Sequence, residues 1–91
     1  MKITPEQLLE RVKETNNITG EYQDNRVRGY IEDVKRFMRQ ADVPAAVLDS
    51  DAVVGLVAMG VDSLMETGAL TDYVKQRIIQ ERLTDPEEAG S

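Results

Sequence analysis

The sequence predicts an all-α fold, a small bundle of about four helices. Three observations carry that expectation. Apolar residues recur with helical spacing. Helix-starting and helix-stopping residues bound four segments. The one long apolar run lacks the alternation of a half-buried strand. A chain of 91 residues makes one domain, expected over 1–85, with 86–91 a polar, disordered tail in which Gly90-Ser91 resembles a cloning remnant. A core this small leaves a stability on the order of 5 kcal/mol, and oligomerisation is one usual remedy.

The first helix is expected over 5–14. Thr4 caps it, Pro5 fits the first helical position, and Gln7 stands three after the cap as in a capping box. Leu8, Leu9 and Val12 form its apolar stripe, and Thr15-Asn16-Asn17 with Thr19-Gly20 make the turn, Ile18 anchoring it to the core. The second helix, 25–41, is the clearest. Val27, Tyr30, Ile31, Val34, Phe37, Met38 and Ala41 keep the i, i+3, i+4, i+7 rule without a gap, and Asp24 or Asn25 stands ready as its cap. Gly29 inside it costs about 1 kcal/mol relative to alanine. Asp42-Val43-Pro44 ends it, and 44–48 allows one short turn of helix.

Asp49, Ser50 and Asp51 offer three caps for the third helix, 51–65. Its first ten residues, 52–61, have no polar face, and a helix apolar all round is buried on all sides. One chain of this size hardly covers such a helix, so Ala52, Gly55 and Ala58 are read as a small-residue stripe packed against a partner chain, with an internal core helix as the other reading. Glu66-Thr67-Gly68 stops it. Thr71 or Asp72 caps the last helix, 71–83, with Val74, Ile78 and Leu83 inward. The expected core contains Tyr30, Ile31, Val34, Phe37, Leu56, Val57, Leu64 and Ile78.

Composition excludes several kinds of chemistry. Without cysteine there is neither a disulfide framework nor a thiolate metal site. Without histidine the commonest general base and metal ligand are missing, and no acidic cluster has the spacing of an EF-hand loop. No catalytic residue, cofactor or metal ligand is assigned, and the chain is not expected to be an enzyme. Met1 to Pro5 lacks the apolar stretch of a signal peptide, and the run 52–61 is half the ~20 residues a membrane span needs, so an intracellular protein without a membrane partner is expected. The net charge of −6 opposes general binding to duplex DNA.

That net charge hides an asymmetry. Residues 26–41 carry five basic and two acidic side chains, a balance of +3. Residues 42–74 carry six acids and no base, a balance of −6. The helix face of Arg28, Glu32, Lys35, Arg36 and Arg39, with Glu32 and Arg36 an i,i+4 pair, is either a plain solvated face or one side of a contact. Opposite patches complement each other between neighbouring copies in a head-to-tail contact, which makes a ring if the rotation closes. The candidate subunit interface therefore contains Arg28, Lys35, Arg36 and Arg39 on one side. Asp49, Asp51, Asp62 and Glu66, with Ala52 and Gly55, make the other.

Two resemblances follow. Gly60-Val61-Asp62-Ser63-Leu64 resembles the Gly-x-Asp-Ser-Leu signature of acyl and peptidyl carrier proteins, which implies a phosphopantetheine arm on Ser63. In that family the serine opens a long helix after a loop. Here it stands near a helix end, where Asp62 and Ser63 otherwise read as polar residues turned outward. The longer resemblance runs from Asn17-Ile18-Thr19-Gly20-Glu21-Tyr22 through the run 30–38, Ala41-Asp42-Val43-Pro44, Val53-Val54-Gly55 and Gly60-Val61-Asp62 to the run 76–80. This order is similar to the small head–tail connector (adaptor, or head-completion) proteins of tailed bacteriophages and prophages. Where those relatives carry a tryptophan and a glycine-rich loop, this chain has Leu64-Met65 and a short loop. The resemblance implies a helical subunit that forms a homo-oligomeric ring between the portal protein and a tail-proximal head-completion or tail protein. It further implies DNA only as passing cargo, and a location in the virion and, during assembly, the host cytoplasm. A small helical transcription factor is a third reading, weakened by the acids on the one basic helix.

Overall fold

Helices α1 (Pro5–Thr15), α2 (Asp24–Gln40), α3 (Ala45–Leu48), α4 (Val54–Thr67) and α5 (Asp72–Glu81), with a single 3-10 turn (Asp51–Val53) before α4, make up the computed structural model, which describes residues 2–81. The described residues contain no strand, only an isolated antiparallel bridge between Lys2 and Ser50, beside which Ile3 N–H donates to the Asp49 carbonyl at 2.9 Å. The all-α expectation holds. The end of the last helix expected at 83, the inward Leu83 and the tail 86–91 lie outside the described residues.

Local chemistry sets the helix ends. Gln7 N–H donates to Thr4 Oγ1 at 3.1 Å and Thr4 N–H donates to Gln7 Oε1 at 3.0 Å, the capping box expected from the sequence. α1 and α2 stop in the same way. Asn17 and Asp42 take left-handed conformations (φ 56° and 65°), which turns the chain back so that Ile18 N–H meets the Lys13 carbonyl and Val43 N–H meets the Met38 carbonyl. The apolar side chains that follow, Ile18 and Val43, fold onto the core. Gly68 (φ 78°) closes α4 through its N–H to the Leu64 carbonyl. Of the three caps offered before α4 one is used, and the expected cap of α2 falls differently. Ser50, not an aspartate, caps the 3-10 turn, accepting from Ala52 N–H at 3.3 Å. Asp24 is the first residue of α2 rather than its cap, and its carboxylate reaches across to α1.

α4 is the hub, packed by α2, α1 and α5. Gly60 lets α2 pack tightly against α4: a methyl group there would stand 2.7 Å from Val34 Cγ2. This corrects the expectation that α4 needs a partner chain to cover it. Val53, Leu56, Val57, Ala58 and Val61 are all buried within the chain, because α1, α2 and α5 all pack on this segment. Ala52 and Gly55 remain exposed while Ala58 is fully covered, so the three do not form one open stripe. The core holds Ile31, Val34, Leu56, Val57 and Ile78 as expected, but Tyr30, Phe37 and Leu64 are only half-buried against it. The reason for the two aromatics is angular. At about 100° per residue, the buried line of α2 is Val27, Ile31, Val34 and Met38, and Tyr30 and Phe37 sit about 70–90° to one flank of it.

Candidate interaction surfaces

The outward face of α2 carries the basic residues. Arg36 lies two residues, or about 200°, from Val34, which faces α4, so it points away from the core. Its side chain is 65% exposed and stands 3.6 Å from Asp33 rather than pairing with Glu32. Arg39 is exposed one turn further on. Arg28 is already engaged within the chain: its guanidinium donates to both carboxylate oxygens of Glu6 at 2.9 Å, joining α2 to the first turn of α1. Lys35 is half-buried and lines, with Pro5, Leu8, Arg28, Ile31 and Glu32, a groove of about 200 Å³ between α1 and α2. A second groove, of about 350 Å³, runs along Lys2, Ile3, Glu6, Gln7, Glu10 and Arg11. At the start of α2 the Arg26 guanidinium stands 5.6 Å from the Tyr30 ring centroid, and its Nε–H donates to the Tyr30 hydroxyl at 3.1 Å.

The acidic residues are divided between two places. Asp62 and Glu66 lie one turn apart on the exposed line of α4, in register with Ala52, Gly55 and the half-buried Met59. Asp49 and Asp51 are exposed on the turn that leads into α4, beside the bridge to Lys2. The exposed acidic line of α4 and the arginine face of α2 therefore point outward from different helices.

Ser63 corrects the reading that it turns outward. It is 6% exposed; its hydroxyl donates to the Ala69 carbonyl at 2.6 Å and accepts from Thr71 N–H at 3.0 Å, fastening the turn between α4 and α5. Asp62 beside it is exposed as expected.

Two polar residues that shape these surfaces were not singled out from the sequence. Lys13 is buried, its ammonium donating at 2.7 Å both to the Gly20 carbonyl and to Asp24 Oδ1. The hydrogen bond to Asp24 raises the Lys13 pKa above its ordinary value, outweighing the opposing effect of burial. A signal was present: Lys13 stands four after Leu9 on the line of the apolar stripe. Asn16 donates to the Ala58 carbonyl at 3.0 Å and ties the end of α1 to α4. Among the described residues every buried side-chain nitrogen or oxygen has a partner, no group of three or more acidic side chains is placed to hold a metal ion, and no helix is long and apolar enough to cross a membrane. No known family, curated protein or solved structure matches the chain.

Proposed function

We propose that this chain is a structural assembly subunit of the head–tail connector type, which packs side by side with copies of itself into a ring between a phage portal and the tail-proximal proteins. The observation that carries the reading is the separation of charge onto outward faces of different helices: Arg36 and Arg39 on α2, Asp62 and Glu66 on α4. Faces of opposite sign on one subunit favour a head-to-tail contact, and a rotation that closes turns that contact into a ring. Asp49 and Asp51 extend the acidic side, whereas Arg28, held by Glu6, contributes less than its neighbours. In this reading DNA passes the ring as cargo, and the acidic side chains repel its backbone rather than grip it.

The test is to look for a portal gene beside this one, mix the purified chain with that portal protein and weigh the complex by native mass spectrometry. Several copies of the chain per portal ring are the expected result. A neighbourhood without portal, capsid and tail genes, or a portal that retains no copies at micromolar concentration, removes the reading. The carrier alternative requires a serine hydroxyl that faces solvent, and the Ser63 hydroxyl is instead enclosed and bonded to the turn. A mass gain at Ser63 on treatment with a phosphopantetheinyl transferase and coenzyme A is the result that revives it.

A further inference from the structure

α5 is held differently from every other long helix of the described chain. α1 and α2 each bury four residues and α4 buries seven, whereas among its described residues α5 buries Val74 and Ile78. Tyr73 is 64% exposed and Ile79 42% exposed on its outer side. It rests chiefly on α4. The chain that leads into α5 is a turn fastened by two hydroxyls. Gly68 supplies the left-handed residue. Ser63 Oγ holds the Ala69 carbonyl and Thr71 N–H, and Thr67 Oγ1 holds Ala69 on both sides, at 2.9 Å to its carbonyl and 3.3 Å from its N–H.

From this geometry we infer that α5 opens as one unit about Gly68–Thr71 while α1 to α4 remain folded, with Ser63 as the clasp. Opening frees Val74 and Ile78, four apart on one face of α5, and uncovers the flank of α4 on which they lie. The molecule thus contains a latch whose open form presents an apolar helix face that the closed form hides. Cooperative units of this kind open more often than the whole protein unfolds.

Amide hydrogen exchange of the full chain, followed residue by residue at several low urea concentrations, tests this. The α5 amides are expected to share one protection factor, on the order of 100-fold below those of α2 and α4, and a shallower dependence on urea. Val12→Ala, a mild change in the α1 core, is expected to lower the protection of α2 and α4 and to leave that of α5 unchanged, because the contacts of Val12 persist when only α5 is open. Equal protection and equal urea slopes in α2, α4 and α5 overturn the inference. So does a Val12→Ala variant in which α5 loses as much protection as the rest.

Discussion

Asp42 and Asn17 hold the left-handed positions that close α2 and α1, where a side chain carries a steric cost that glycine avoids. Asp42 is exposed, so its replacement loses no buried contact. Asp42→Gly is therefore expected to raise stability by about 0.5–1 kcal/mol, read as a higher midpoint in urea at unchanged slope. Gly60 answers to the opposite demand. There a methyl group meets Val34, a fully buried β-branched side chain with little freedom to move aside, and Gly60→Ala is expected to cost about 1–3 kcal/mol. Lys13 adds a dependence on pH. Its folded pKa is raised above the ordinary 10.5 by the bond to Asp24, so its contribution is complete below the unfolded value and is lost as pH rises through the folded one. Thermal melts of the parent are expected to lose stability above about pH 10.5, a loss that Lys13→Met, which keeps the apolar stem, removes.

At the scale of the element, what the sequence announced was what short-range chemistry controls. The capping box at Thr4 and Gln7, the stop at Gly68 and the cap from Thr71, whose Oγ1 accepts from Val74 N–H at 3.3 Å, involve residues within four of each other, and each stands where the sequence places it. The limits of α1, α2 and α4 agree with expectation to within about three residues for the same reason. Burial was less legible, because it depends on which helix arrives from elsewhere. Nothing local in 52–61 says that α1 and α2 will both pack on it, and periodicity alone gives Tyr30 and Phe37 the same standing as Val27 and Met38. The flank position of Phe37 has a measurable consequence. A fully buried phenylalanine costs about 3–5 kcal/mol on truncation, and a half-buried one, with part of its ring already in water, about half of that. Phe37→Ala is therefore expected to cost about 2 kcal/mol in chemical unfolding, and Val34→Ala at the α2–α4 crossing at least half as much despite its smaller side chain.

At the scale of the whole molecule, the candidate interface was legible in the sequence as a list of charges, but not as a surface. Whether Arg28 faces outward alone or is held by Glu6 depends on the packing of α1 against α2, twenty-two residues apart in the chain. Whether Ser63 is open to solvent like Asp62 depends on the turn that covers it. The side chains that remain on outward faces, Arg36 and Arg39 against Asp62 and Glu66, supply the most direct test of side-by-side assembly. Each exposed pair contributes only about 0.2–1 kcal/mol, so a single substitution is a poor probe, whereas a paired reversal repeated at every contact of a ring acts many times over. Arg36→Glu with Arg39→Glu is expected to impair ring formation, followed by sedimentation and native mass spectrometry, and to leave the helical circular dichroism unchanged because both side chains are exposed. A second reversal, Asp62→Arg with Glu66→Arg, is expected to restore part of the assembly, and Asp49→Arg with Asp51→Arg tests the other acidic site in the same way. High salt should weaken the parent and the restored variant alike, since the Debye length falls from about 10 Å at 0.1 M to 3 Å at 1 M. If the arginine reversal assembles as well as the parent at low salt, charge does not set the contact, and the outer line of Ala52, Gly55 and Met59 on α4 becomes the surface to probe next.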